Sequence, residues 1–296
     1  MWPPTDRLAA LLLVAALLAG CAGPPDPAPP VARPGTDALV DALAERLTGV
    51  YTGSAPGDAM AGVRLQVRPQ SAPGTRPARI ELIQHAGDGP ARRFVLALVA
   101  SPAVPGQLVG VFSPLDAAGR PRGECPLTGS ARDGGVVLTT SAATCRFGAG
   151  DGEVGLIKEF AFDGRRLVIG DRVLGANGES ALPDSLIEFL PVHRYTGWAG
   201  RRDDGAGEGS WRRADAVALA SDGRSVALVD AGGMPLGVEL ELAPYWPDEN
   251  AAVLLRLRAF DADSGELLGQ VWADPDATRL GLGLGDFQAG LERAED

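Results

Sequence analysis

The chain has 296 residues, 45% of them hydrophobic and 22% charged, which is the balance of a globular protein and not of a disordered one. Its formal net charge of −11 argues against nucleic acid as a partner and against a polybasic face for an anionic membrane. Its 40 glycines and 24 prolines are those of a turn-rich β protein carrying a proline tether.

In chain order, a single cation at Arg7 precedes an apolar run from Leu8 to Leu18, which ends in Leu18-Ala19-Gly20-Cys21. The run is too short to span a bilayer as a stable helix. A basic start, a short greasy core and small residues are the layout of an export signal. With Cys directly after Leu-Ala-Gly, the stretch resembles a bacterial lipoprotein signal. The resemblance implies removal of residues 1–20 and acylation of Cys21 with palmitate-type chains. Two or more such chains hold a protein firmly at a membrane, where one holds it weakly. Ala22 follows Cys21 and no Asp does, which implies the bacterial cell envelope, at the outer membrane and facing the periplasm. Residues 21–35 read as a Pro/Ala-rich tether about 40 Å long, at about 3.1 Å per residue.

Residues 36–48 carry the one helical pattern. Thr36 or Asp37 can cap it, Leu39, Val40, Leu43 and Leu47 share a face, and Gly49 is a stop. From Val50 to Pro191 the period switches to two. Val63-Leu65-Val67, Ile80-Leu82, Phe94 to Val99, Val136 to Leu138, Phe160-Phe162 and Leu167-Ile169 alternate or run between Asp-Gly and Asn-Gly turns. Such pairs supply the positive φ of tight hairpins. Residues 36–191 are therefore expected to form an antiparallel barrel behind one short helix. Residues 192–205, with Tyr195-Thr196-Gly197-Trp198 and Arg201-Arg202-Asp203-Asp204, read as a break. A second β pattern follows, so residues 192–296 are expected to form a separate small β-sandwich. The fold class expected is all-β and mainly antiparallel.

With Cys21 assigned to lipid, Cys125 and Cys145 remain as a pair. In an oxidising envelope they read as one disulfide; the alternative is two free buried thiols.

The first β region resembles the CpcT/CpeT family of phycobiliprotein chromophore lyases and their bacterial relatives. The likeness is carried by Leu47-Thr48-Gly49-Val50-Tyr51, Ile80-Glu81-Leu82-Ile83-Gln84, Arg93-Phe94-Val95-Leu96, the two Cys segments and Leu167-Val168-Ile169-Gly170-Asp171-Arg172. It covers about residues 38–180. It implies a calycin-like barrel with an internal pocket, and lyase activity on a chromophore as a functional alternative. The chain departs from the family pattern at Glu81 and Gln84, which are not adjacent, and at Val173, where the family has Gly.

Among side chains that could carry chemistry, Arg93, Asp171 and Arg172 suggest a polar cluster at the barrel mouth, where an Arg fork suits a ligand carboxylate. The plainer reading is an ion pair between neighbouring strands. Gln84 is a candidate hydrogen-bonding group inside the barrel. His85 and His193 stand in no metal spacing, so no metal or cofactor is expected. No Gly-x-Ser-x-Gly elbow is present. Asp261-x-Asp263-x-Gly265 starts like a calcium loop, but its twelfth position is Trp272, so a hairpin turn is expected. Gly281-Leu-Gly283-Leu-Gly285 lacks the frame of a phosphate loop and reads as a strand. Trp198, Trp211, Trp246 and Trp272 read as sandwich core, with a sugar or partner platform as the alternative. The function expected is that of a non-enzymatic, lipid-anchored envelope protein. Its barrel would bind a small amphipathic ligand or an envelope protein partner, with a purely structural interaction module as a further alternative.

Overall fold

Alternation of apolar and polar side chains puts every second residue of a strand on one face, and a sheet that closes on itself turns that face into a core. The computed structural model describes residues 36–54, 62–132, 134–148, 150–202, 210–247 and 252–295. The signal segment, Cys21, the tether and the side chains of Thr36 and Asp37 lie outside the described residues. The first wall consists of β1 (Gly49–Ser54), β2 (Val63–Pro69), β3 (Ala78–Ala86), β4 (Arg92–Ala100), β5 (Gln107–Pro114), β6 (Cys125–Arg132), β7 (Gly135–Thr140), β8 (Arg146–Phe147), β9 (Val154–Phe162), β10 (Leu167–Leu174) and β11 (Ser185–Pro191). Their order is β10-β11-β1-β2-β3-β4-β5-β6-β7-β9, and β10 pairs back to β9. The result is a closed antiparallel barrel of ten strands, with β8 added on β9.

Every one of those ten strands sends buried apolar side chains into a single cluster, among them Leu65, Ile80, Leu96, Leu108, Leu127, Leu138, Ile169 and Phe189. Phe94, Phe112 and Phe160 meet within it at centroid separations of 5.7 to 6.1 Å. The barrel interior is thus packed with side chains. Gly53 on β1 makes room for Phe189, because a Cβ there would stand 2.6 Å from the Phe189 ring and from the Glu188 carbonyl oxygen.

The helix α1 (Thr36–Leu47) closes one end of the barrel. Val40, Leu43 and Leu47 are buried in the same cluster as the strands. Asp41 accepts hydrogen bonds from Nη1 and Nη2 of Arg76, each at 2.9 Å, which ties the helix to the β2–β3 loop. Arg46 donates to the Gly134 carbonyl and lies 5.5 Å over the Phe162 ring, reaching the β6–β7 and β9–β10 turns. The Tyr51 hydroxyl donates to the Leu47 carbonyl at 3.0 Å and fixes the exit into β1.

After Pro191 come β12 (Arg194–Arg202), β13 (Trp211–Ala220), β14 (Ser225–Val229), β15 (Pro235–Tyr245), β16 (Leu254–Asp261), β17 (Leu267–Ala273), β18 (Arg279–Gly283) and β19 (Phe287–Arg293). They form two four-stranded sheets, β13-β12-β19-β18 and β14-β15-β16-β17. The inner faces share a second core, with Tyr195, Leu219, Leu240, Leu257, Phe287 and Leu291. The break expected over 192–205 is in fact strand β12 as far as Arg202. Tyr195 and Ala199 face the core, while Gly197 and Trp198 between them and Gly200, Arg201 and Arg202 after them hide the alternation.

The barrel carries a disulfide between Cys125 and Cys145. Both half-cystines are buried, at 1% and 0% exposure, at the end of the barrel opposite α1. Closing a loop of this length restrains the unfolded chain by about 3 kcal/mol in the chain-entropy model. Cys125→Ala/Cys145→Ala should therefore lower the free energy of urea unfolding by about that amount, and an unchanged midpoint would refute the assignment of stability to the bridge.

Candidate functional site

The inner and outer faces of the barrel wall decide what each polar side chain can do. On β3 the inward series runs Ala78, Ile80, Leu82, Gln84, so Gln84 is the polar end of an apolar row. It is 6% exposed and stands in register with Leu65 on β2 and Arg92 on β4. On β9 the inward series is Lys158, Phe160, Phe162, and Asp171 on β10 stands directly opposite Lys158. Nζ of Lys158 lies 2.5 Å from Oδ1 of Asp171, 5.0 Å from the Phe94 centroid and 5.7 Å from the Phe160 centroid.

A polar layer of Gln84, Arg92, Lys158 and Asp171 therefore caps the three-phenylalanine layer at the end remote from the helix. Thr140 supports it from β7, donating its hydroxyl to the Leu156 carbonyl and accepting the Lys158 amide. Burial pushes the Lys158 pKa down, Asp171 pulls it back up and Arg92 pushes it down further; the net displacement is downward. An ammonium held this way is a counter-charge for one carboxylate, and Asp171 already fills that place.

Arg93, Asp171 and Arg172, weighed as a shared cluster against plainer ion pairs between neighbouring strands, do not converge; Arg93 pairs with Glu81 and Asp171 with Lys158. Arg93 points outward, where its Nε and Nη2 donate to Oε1 of Glu81 at 2.9 and 2.5 Å. Arg68 donates from its Nε to Oε2 of the same carboxylate at 2.8 Å. Glu81 is 1% exposed beneath these two guanidinium groups. Arg172 faces outward from β10, 3.2 Å from Asp184 at an exposed site. Of the four candidate ligand residues, Gln84 and Asp171 lie on the inner face and Arg93 and Arg172 on the outer. Strand period sends Asp171 and Arg172, neighbours in sequence, to opposite sides of the wall.

Lys158 and Arg92 are the inner groups that motif reading missed. The signal was present: Lys158 is the only lysine of the chain and sits at period two with Phe160 and Phe162. Among the described residues no group of His, Cys, Asp and Glu could hold a metal ion. His85 is exposed, and His193 lies at the junction of barrel and sandwich, where its amide donates to Ser221 Oγ at 2.9 Å. No helix of the described residues is long and apolar enough to cross a membrane.

Two clefts flank that junction. One, of about 620 Å³, lies between the β9–β10 turn and the sandwich and is lined by Arg166, His193, Asp274 and Arg293. The other, of about 890 Å³, lies beside β1 and β2 and is lined by Thr52, Arg64, His85 and Asp222. Arg165 and Asp276 form an ion pair across the first. No family model and no curated protein matches the chain.

The Lys158–Asp171 pair sits in low-dielectric surroundings, so removing one partner leaves a buried charge without compensation. Asp171→Asn should cost about 2–3 kcal/mol in urea unfolding, at the low end for a buried pair because Asp171 keeps some exposure. Lys158→Met/Asp171→Leu should recover most of that loss. Equal destabilisation by the single and the double variant would show that the pair is not the cause.

Glu81 yields a pH prediction. Burial raises its pKa, but the hydrogen bonds from Arg93 and Arg68 outweigh burial, and the net value lies below the ordinary 4.5. A lowered carboxylate pKa contributes stability that is complete above the unfolded value and lost as pH falls through the folded one. The wild-type chain should lose stability below pH 4.5 more steeply than Glu81→Gln, measured by thermal unfolding across pH. Parallel profiles for the two proteins would contradict the role given to Glu81.

Proposed function

We propose that this chain is an exported, non-enzymatic envelope protein, anchored through a lipid on Cys21, that binds a protein partner through the outside of its folded body. The observation that carries the binding part is the packed barrel. All ten strands and the helix fill the interior with one continuous apolar cluster. A small ligand entering that interior would have to displace buried side chains at about 2–5 kcal/mol for each large one. The clefts at the junction of barrel and sandwich need no such displacement. Their mixed charge suits polar loops of a partner protein more than a greasy ligand.

The anchor part rests on Leu18-Ala19-Gly20-Cys21 behind its apolar run and on the tether that follows. Acidic charge on the mature body keeps it from adhering to anionic lipid by electrostatics, so membrane residence depends on the acyl chains.

A second reading, binding of a small amphipathic ligand at the end of the barrel, is favoured by one observation. The inward-facing layer of Gln84, Arg92, Lys158 and Asp171 lies at the barrel end over three phenylalanine rings, an arrangement that sets charged groups above an apolar floor.

Two measurements test these readings. Cells grown with an alkyne-bearing palmitate analogue should label the wild-type chain and place it in the membrane fraction. Cys21→Ser should be unlabelled and recovered in the aqueous phase after detergent partitioning. Membrane retention of Cys21→Ser would remove the anchor from the proposal. For the barrel, titration with a fluorescent fatty acid should show no saturable site on the purified chain. One-to-one binding that Lys158→Met abolishes would replace the surface reading with the ligand reading.

A further inference from the structure

We propose that the outer face of the sheet β14-β15-β16-β17 is a binding site for a saccharide that carries a carboxylate, with Arg256 receiving the carboxylate and Trp272 and Tyr245 receiving the sugar ring. On β16, Leu255, Leu257 and Ala259 enter the core, so Arg256 and Arg258 lie on the opposite face. Register sets Trp272 beside Arg256, and sets Glu241 on one side of Arg258 and Gln270 on the other. The Tyr245 and Trp272 rings stand 4.7 Å apart at 59°. The Arg256 guanidinium lies 4.8 Å from the first centroid and 5.3 Å from the second.

The two arginines of this face have different surroundings. Arg258 donates from Nε and Nη2 to Oε1 of Glu241, at 3.0 and 2.5 Å. Arg256 is 7% exposed, and its Nε and Nη2 are buried without an acceptor among the described residues. Rings attract the cation but cannot take its in-plane N–H bonds. Glu241 is already engaged, and Arg258 adds a like charge nearby. The guanidinium fork therefore requires an acceptor with two oxygens in a plane, which a carboxylate supplies in bidentate form.

The neighbouring surface selects what bears that carboxylate. Trp272 is 39% exposed, and Leu267 and Leu268 on the same strand are 45% and 37% exposed. The exposed indole suits the C–H face of a pyranose, and Gln270, between it and the leucines, offers a hydroxyl partner. Trp272 is the more exposed member of the ring pair, so the proposal requires its indole to turn aside to admit the incoming group. A neutral sugar would engage the rings and leave Arg256 as it is.

The test uses the full exported chain extracted in detergent, and its result does not depend on how that chain is anchored. Trigalacturonic acid and the neutral galactotriose serve as probes, read by calorimetry and tryptophan fluorescence. The acid should bind, and the neutral trimer should bind at least about tenfold more weakly. Trp272→Ala, a surface change that leaves the core intact, and Arg256→Met should each weaken the acid at least about tenfold, with near-UV circular dichroism confirming the fold. Should Arg256→Met fail to fold, Arg256→Lys takes its place and should keep the cation while weakening the acid. Equal affinity for the two trimers, no binding of the acid at millimolar concentration, or unchanged affinity in the folded variants would overturn the proposal.

Discussion

Pairing of β9 with β10 is the contact on which the first body depends. It runs in register over eight residue pairs, from Leu167 opposite Phe162 to Leu174 opposite Gly155, and joins the two ends of a sheet that would otherwise lie open. An open ten-stranded sheet would present two rows of unpaired backbone groups and an uncovered apolar face. Once closed, it gives all inward positions a common interior and leaves no strand edge in the main wall. The same hairpin carries Lys158 and Asp171 at adjoining inward positions, so the strand pair that shuts the wall also neutralises the charge it brings inside. The helix closes the opposite end through Val40, Leu43 and Leu47, and its two side-chain anchors, Asp41 and Arg46, reach loops at that end.

Period and turn chemistry made the fold class legible before the structure. Asp163-Gly164 and Asp261 to Gly265 each sit between paired strands, whereas Asp222-Gly223 carries the chain from β13 in one sheet to β14 in the other; all three turns have a glycine at positive φ. The helix ends at Leu47, one residue before the expected end at Thr48. Strand β12 was not legible, because the residues facing its core are Tyr195 and Ala199, set among Gly197, Trp198, Gly200 and three arginines. Its identity as a strand comes from pairing on both sides, with β13 and β19, which no local pattern records.

The polar residues were less legible than the fold for a related reason. Which face a residue takes depends on strand register, and the sequence gives neighbours such as Asp171 and Arg172 equal standing. Gln84 and Asp171 fall on the inner face, while Arg93 and Arg172 belong to outer ion pairs. The tryptophans show the same limit. Read as core, three of the four are substantially exposed: Trp198 at 37%, Trp211 at 39% and Trp272 at 39%. Trp198 lies over Gly290, whose missing side chain leaves room for the indole, and Arg213 stacks on its other side at 5.2 Å. Such rings are held by glycine and arginine partners across a sheet surface, and those partners are distant in sequence.

Several cations in this molecule rest on aromatic rings, and what distinguishes them is the carboxylate. Lys158 lies over Phe94 and Phe160 and has Asp171; Arg258 lies over Phe260 and has Glu241. Arg93 and Arg68 show the converse, one buried Glu81 shared by two guanidinium groups without a ring. In each case burial of charge is offset by an opposite charge inside hydrogen-bond distance, as a low-dielectric site requires. Arg256 has the rings, the burial and a like-charged neighbour, yet its buried donors meet no oxygen of the described residues. Packing alone does not call for a guanidinium there, since an aliphatic side chain would fill the space between Tyr245 and Trp272 without a desolvation cost. The rule that governs the other buried cations therefore leaves Arg256 short of an oxygen among the described residues, the place that the proposed saccharide carboxylate would take.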